Sequence, residues 1–411
     1  MSTLVQTLVP ARLGTGFRWL LASSWTTNLG DGIAAAAGPL LVASLTDDPF
    51  LISLAALLTW APPLVCGLWA GVLSDRHNRR LILLGANAFR GVVLLAMIAA
   101  LAAGRLTVEA ALIGLGLIST AEVFADNTSG TLAPMLVHRD DLALANARLQ
   151  TGFITLNQLA GPPLGAALFT VGRAWPLVSE VLLVGAGMLL VSRMTLPPHG
   201  RDRAAGARRN VWHEIVEGLR WVRHHPPVRT LCLIVLVFNL AFGAAWSVLV
   251  LYASDRLGLG AFGFGLVTGV AAVGGVVGTV AYGRLTARIS LGNLMRIGLI
   301  IETLTHLVLA ATTSPWVALP MFFVFGVHEF VWGTTSATVR QRAVPTELQG
   351  RVNAVNTICM FGGLVIGAAA GGVLAKQYGI AAPFWAAFGA SAVFVVLLWP
   401  QMTRIAHDDQ L

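Results

Sequence analysis

The chain has 411 residues, 56% of them hydrophobic and only 11% charged, with a net charge of +8. Soluble domains carry about a quarter charged residues, so this composition, with a mean hydropathy of +0.75, excludes a soluble globular protein and implies an all-α polytopic membrane protein. The basic excess does not describe a nucleic-acid surface, because Lys376 is the only lysine and the arginines cluster in alternate loops between apolar runs, as membrane topology requires.

A spanning helix takes about 20 residues, which leaves room for about twelve spans once loops are removed. Residues 1–17 are polar with Arg12, and Arg18 marks the membrane edge. Span 1 is predicted over about 18–45, bent around Gly30, Gly32 and Pro39. Asp47 and Asp48 form an external turn, followed by span 2 at about 50–73, span 3 at about 81–103, and Arg105 outside. Span 4 covers about 107–132, and a cytoplasmic stretch from Pro134 to Arg148 leads into span 5, which ends near 171; span 6 is about 176–193. The polar segment 195–226 opens on Pro197, Pro198, His199, Gly200 and Arg201 and holds Arg203, Arg208 and Arg209. Its second part places Val211, Ile215, Leu219 and Val222 at helical spacing, which predicts a short interfacial helix. Spans 7 to 12 follow at about 227–252, 261–285, 290–313, 316–340, 352–375 and 381–400. The organisation expected is a six-helix half over 1–194, a cytoplasmic linker over 195–226 and a second six-helix half over 227–411.

On this assignment Arg105, Arg173, Arg256 and Lys376 lie outside, Arg90 lies within a span, and every other basic residue is cytoplasmic. Both termini are therefore expected in the cytoplasm of a multi-pass cell-membrane protein. The first apolar run is long, contains Asp31 and lacks a small-residue cleavage site, so it reads as a retained helix and not a signal peptide. Cys66, Cys232 and Cys359 all fall in spans with no CxxC, which argues against a disulfide framework, a metal site or a cofactor. Glycine, at 44 residues, suits close helix packing in lipid.

One stretch organises the rest. Gly71, Asp75, Arg76, Arg79 and Arg80 form a tight basic turn between spans 2 and 3, with Asn78 inside it. Gly71 allows close backbone approach, and the arginines suit the cytoplasmic leaflet. This Gly-x-x-x-Asp-Arg-x-x-Arg-Arg pattern resembles the loop between helices 2 and 3 of the major facilitator superfamily, with Asn78 where that family usually has Gly. Gly283-Arg284-Leu285-Thr286-Ala287-Arg288 echoes it after span 8, and Ala145-Asn146-Ala147 is echoed by Val352-Asn353-Ala354, as parallel repeats of such a transporter would be. In span 5, Gly161-Pro162-Pro163 followed by Gly165 resembles the Gly-Pro motif of the antiporter branch and implies export. The chain as a whole resembles the branch that includes siderophore and macrolide exporters; it lacks the span-4 Arg of many drug/proton antiporters and has Glu122 and Asp126 instead.

A charge at the bilayer centre costs about 2.5 to 3.5 kcal/mol, so the intramembrane acids are the candidate site. Asp31 lies mid-span between two glycines and is the first candidate for a coupling carboxylate; structural pairing with Arg90 of span 3 is the alternative reading. Glu122 and Asp126 are one turn apart on one face of span 4, where two carboxylates cannot both ionise cheaply. Arg90 is their nearest candidate counter-charge by depth, so a structural bridge competes with a proton role. Glu302 shares a face of span 9 with His306, while His328 and Glu329 sit mid-span 10. The resemblance puts spans 1, 4, 7 and 10 around the cavity, which favours Glu329 over Glu302 and leaves His328 mainly to packing. Glu180 is expected at the outer interface, and Asn28, Asn157, Gln158 and Asn239 as uncharged contacts or helix glue. The glycines at 274 and 278, and at 363, 367 and 371, read as packing seams.

The resemblance implies a proton-driven exporter of small, amphipathic molecules, a drug or a siderophore, that works by alternating access, functions as a monomer and has protons, cargo and membrane lipid as its partners. In it Asp75 serves as a latch toward the start of span 11, with Gly161 and Pro162 as gating elements. An importer or facilitator of the same fold shares all these features. An intramembrane enzyme would need a nucleophile and base or close-register ligands such as HExxH, and the sequence has none. A receptor or scramblase would not depend on the buried acids.

Overall fold

A computed structural model describes residues 11–194 and 211–407, and it is a succession of long helices. The helices are α1 Gly14–Ala43, α2 Pro49–Arg76, α3 Arg79–Ala102 and α4 Val108–Gly130, then α5, which comprises Leu142–Gly152, a π-helical Phe153–Ala160 and Gly161–Val171. After α6, Trp175–Ser192, come the linker helix Val211–His224, α7 Pro226–Trp246, α8 Gly260–Thr286, α9 Leu291–Ala311, α10 Pro315–Ala343, α11 Gln349–Tyr378 and α12 Ala382–His407. These are the twelve spans expected. Pro197 to Arg209 of the linker lie outside the described residues.

Ten of the described helices are long and apolar enough to cross a membrane. The other two spans, α1 and α5, depart for stated chemical reasons. α1 is 30 residues long but carries Ser23, Ser24, Thr26, Thr27, Asn28 and Asp31, with the hydroxyls of Thr26 and Thr27 returned to backbone carbonyls of the preceding turn. α5 is interrupted where Pro162 and Pro163 remove two N–H donors and crowd the preceding turn. The helix widens there, and the Gly161 N–H reaches back to the carbonyl of Leu156, the five-residue spacing of a π turn.

Caps set several helix starts. The Asn78 side chain accepts from the N–H groups of Arg80 and Leu81 at 3.0 and 3.4 Å, so the residue that replaces Gly in the basic turn is the N-cap of α3. Thr107 and Ser290 cap α4 and α9 in the same way. Span 7 was expected to reach 252 but ends at Trp246; a π turn follows over Tyr252–Arg256. From it Arg256 donates to the carbonyls of Ala310 and Thr312 at 2.6 and 3.0 Å, which satisfies the open end of α9.

The chain forms two compact units, Met1–Leu45 with Val65–Ala207, and Thr46–Leu64 with Arg208–Leu411. In the first, α1 packs on α5 and α6, and α3 on α4 and α6. Its core gathers Phe17, Leu20, Leu83, Leu132 and Met194. α1 and α5 touch backbone to backbone: a methyl added at Gly161 would lie 2.5 Å from the Gly32 Cα, an approach that side chains forbid.

In the second unit, α7 packs on α11 and α8 on α10. The expected glycine seams are here, with Gly363, Gly367 and Gly371 against α7 and Gly274 and Gly278 against α10. Residues 46–64 belong to this unit for visible reasons. The Lys376 Nζ lies 2.6 Å from the Asp48 Oδ2, Gly372 leaves space that Ser53 fills, and Trp60 meets Phe242 at 6.2 Å. The linker helix buries Gly218 and Val222 while Val216 and Leu219 stay exposed, so the stripe through Leu219 is not the face that packs. Gly218 lies against the Arg351 backbone, and Glu217 accepts from the Arg351 Nη1 at 2.6 Å; these contacts fix the rotation.

Candidate functional site

Deep in the first unit, three helices contribute one charged residue each to a single cluster. Asp31 of α1, Arg90 of α3 and Glu180 of α6 are 8%, 2% and 2% exposed. The Arg90 Nε donates to the Glu180 Oε1 at 2.9 Å, and its Nη2 donates to the same oxygen at 2.7 Å. That Nη2 also pairs with the Asp31 Oδ1 at 2.5 Å. One guanidinium therefore holds two carboxylates, and burial makes each dependent on it, because an uncompensated charge in a low-dielectric interior is strongly unfavourable.

Local sequence explains the placement. Gly30 and Gly32 flank Asp31, and across Gly30 the nearest atoms are the Leu183 Cβ and Glu180 Cγ of α6, so α1 and α6 come close enough for both acids to reach one arginine. The Ser23 hydroxyl donates to the Gly187 carbonyl at 3.0 Å and locks that same pair of helices further along their contact. Glu180 is thus interior, not interfacial as its position near the start of α6 suggested. Arg90, for its part, makes its ion pairs with Asp31 and Glu180, and no bridge from it to Glu122 or Asp126 exists among the described residues.

Asp126 has a different surrounding. It is exposed and shares with Asn28, Asp31, Asn87, Arg90 and Ser129 the lining of a cavity of about 30 Å³, room for a water molecule or two. Glu122, one turn away, is half-buried and does not line it. Asn87 was not foreseen as a site residue; its signal is its position one turn before Arg90 on the same face of α3. Away from the helix ends, the first unit therefore carries Asp31, Glu122, Asp126 and Glu180 against Arg90 among the described residues, an excess of carboxyls over cations.

Glu329 lies in the second unit, exposed on α10, while its neighbour His328 points inward. In the basic turn, the Arg79 Nη1 reaches the Met135 sulfur at 2.6 Å, and the Arg80 Nη2 donates to the Ser192 carbonyl at 2.5 Å, so both brace the first unit. Arg76 is exposed, and the side chain of Asp75 lies outside the described residues. A methyl added at Gly71 would meet no atom within 4 Å. Close approach is instead a property of Gly32, Gly161 and Gly165, and Pro162 holds the π turn beside them. No group of three or more metal-ligating side chains occurs among the described residues, and the three cysteines are free thiols.

Comparison with known proteins adds to this geometry. A profile of transmembrane secretion effectors matches residues 5–410. The chain is 28% identical over 389 residues to the multidrug efflux pump Tap of Mycolicibacterium fortuitum, covering 89% of this chain and 91% of that one. It is 25% identical over 394 residues to the enterobactin exporter EntS of Shigella boydii, covering 93% and 91%. Among solved structures, a bacterial homologue of the iron transporter ferroportin in an inward-facing state superposes with a TM-score of 0.75 at 17% identity, over 94% of this chain and 98% of that one. The nucleoside transporter NupG gives 0.77 at 11% identity, over 95% and 100%; at such identities the likeness concerns the fold.

Proposed function

The chain belongs to the transmembrane secretion effector family of the major facilitator superfamily, whose members are membrane transporters and not enzymes, and from that premise we propose that it is a proton-coupled exporter of small amphipathic molecules. The observation that carries the reading is the acid excess around Arg90, with Asp126 open to the cavity and free of any ion pair among the described residues. A carboxylate with no fixed counter-charge binds whichever cation is offered, and a proton and a cationic cargo then compete for it. Asp31 and Glu180 are held by Arg90 and act as the charge-balanced wall of the site; Asp126 exchanges, with Glu122 and Glu329 as further acids on the route.

The cycle follows from that competition. With the cavity open to the cytoplasm, ionised Asp126 receives the cargo; with it open to the outside, a proton takes the carboxylate and the cargo leaves. Each pH unit across the membrane supplies about 1.4 kcal/mol per coupled proton. Gly161 and Pro162 form the pliable joint of α5 against α1, and the basic turn with Asp75 anchors the cytoplasmic end. Similarity to Tap, a multidrug efflux pump, and EntS, an enterobactin exporter, supports the outward direction.

Everted membrane vesicles with an acid interior test the proposal, with ethidium as the cationic probe among a panel of dyes, antibiotics and siderophores. Wild type should concentrate a probe in the lumen, and Asp126→Asn should lower that accumulation at least tenfold at equal protein level. Accumulation indifferent to the pH gradient, or uptake in the opposite orientation as an importer would give, overturns the reading.

A further inference from the structure

The second unit holds a buried polar cluster that the cycle above does not use. Glu302 and His306 of α9 and His328 of α10 are 7%, 0% and 5% exposed. The His328 Nε2 lies 3.3 Å from the Glu302 Oε2. The remaining His328 nitrogen and both ring nitrogens of His306 have no hydrogen-bond partner among the described residues. His306 stands one turn from Glu302 on the same helix face and receives the edge of Trp246 at 6.0 Å.

What separates this cluster from that of the first unit is the absence of any arginine. Of the elements packed on α9 and α10, α12 carries no ionisable side chain between Ala382 and Trp399, and α8 carries none between Gly260 and Ala281. α7 has only Arg229 at its inner end and Cys232, and α9 itself adds only Arg296 near its own inner end. The turn Tyr252–Arg256 meets the last turn of α9, where Tyr252 donates to the Leu309 carbonyl and Arg256 to those of Ala310 and Thr312, and α10 adds Arg340 and Arg342 only in its own last turn. The ionisable groups of the cluster itself are Glu302, His306, His328 and, next in sequence on the exposed side of α10, Glu329. Among the described residues the one ion-pair partner of Glu302 is the His328 imidazole, so its compensating charge is a proton on that ring. Carboxylate with imidazolium, and carboxylic acid with imidazole, are both neutral overall, so the pair keeps one proton at little electrostatic cost. Losing it leaves a lone buried anion, and gaining another leaves a lone buried cation beside His306. Histidine is the side chain suited to move between such states near neutral pH.

The seat of the pair is built. A methyl on Gly298, one turn before Glu302, would lie 2.8 Å from the His328 Nδ1 and 2.7 Å from the Trp332 Cδ1, so the missing side chain is what lets the His328 ring reach the carboxylate. We propose that Glu302 and His328, with His306 beside them, form a second proton-binding site, separate from the acids around Arg90, which loads through Glu329 and releases its proton during the transport cycle. Its place in the cycle rests on the proton-coupled reading; its ability to bind a proton does not.

Purified full-length protein in detergent micelles, labelled with ring-13C histidine, gives the test by infrared difference spectroscopy between about pH 5 and about pH 8, where a histidine switches. Of the nine histidines, wild type should show one component of the protonation signal that is missing both in Glu302→Gln and in His328→Asn and that persists in Asp126→Asn. Gly298→Ala, which keeps every ionisable group, should shift that signal and so guards against a variant that fails to fold. A signal unchanged by Glu302→Gln and His328→Asn, or one lost in Asp126→Asn while these two retain it, overturns the second site. Because the readout requires no transport, failure of the exporter reading in vesicles and failure of this site are distinguishable.

Discussion

Arg90 is the residue with most to lose. Its guanidinium is the shared partner of Asp31 and Glu180, and truncating one partner of a buried ion pair costs about 3 to 5 kcal/mol because the other charge is left stranded. Arg90→Met should therefore lower the melting temperature in detergent sharply, and adding Asp31→Asn with Glu180→Gln should restore most of the loss. A single Arg90→Met that melts like wild type would mean the cluster is not the electrostatic unit described. At the turn before α2 the expectation is smaller. The Lys376 hydrogen bond holds the Asp48 carboxyl below its ordinary value, so the pair's stabilisation is present above about pH 4 and fades as pH falls through the lowered value. Such an exposed pair contributes under about 1 kcal/mol. Asp48→Asn should thus cost little at pH 7 and nothing once the wild-type carboxyl is protonated, and thermal melts at both pH values would check it.

Helix pairs show where glycine matters and where it does not. At Gly161 an added methyl meets the Gly32 backbone, which has no side chain to move aside, so Gly161→Ala should cost about 1 to 3 kcal/mol, the usual penalty of overpacking. Gly71→Ala, with nothing within 4 Å, should fall within about 0.5 kcal/mol of wild type, and equal effects at the two sites would contradict the packing described. The sequence made the helices legible because each apolar run is closed by polar turn residues, and it made the seams at Gly274, Gly278 and Gly363 to Gly371 legible because small residues recur at one-turn spacing. It could not place Glu180: depth along α6 alone puts that acid at the interface, and only the long Arg90 side chain arriving from α3 makes it interior. The π turn of α5 was foreshadowed by Pro162 and Pro163 as a bend, but the extra residue per turn is a three-dimensional consequence of two missing donors.

At the scale of the whole transporter, the acids of the two units differ in one respect that bears on the proposed proton coupling. The first unit balances part of its charge with Arg90 and leaves Asp126 outside any ion pair among the described residues, whereas the second pairs Glu302 with a histidine and not with an arginine. If only the first site exchanges, one proton accompanies each cargo molecule; if both do, two. With the electrical potential clamped at zero in proteoliposomes, the limiting accumulation ratio then rises about tenfold per pH unit for one proton and about a hundredfold for two. Wild type should follow the steeper dependence for an amphipathic cation such as ethidium. Glu302→Gln should retain transport but fall to the shallower slope, while Asp126→Asn should stop gradient-driven accumulation altogether, since it removes the carboxylate for which cargo and proton compete. A Glu302→Gln slope equal to that of wild type would assign the cluster between α9 and α10 to packing and leave Asp126 as the sole exchanging site.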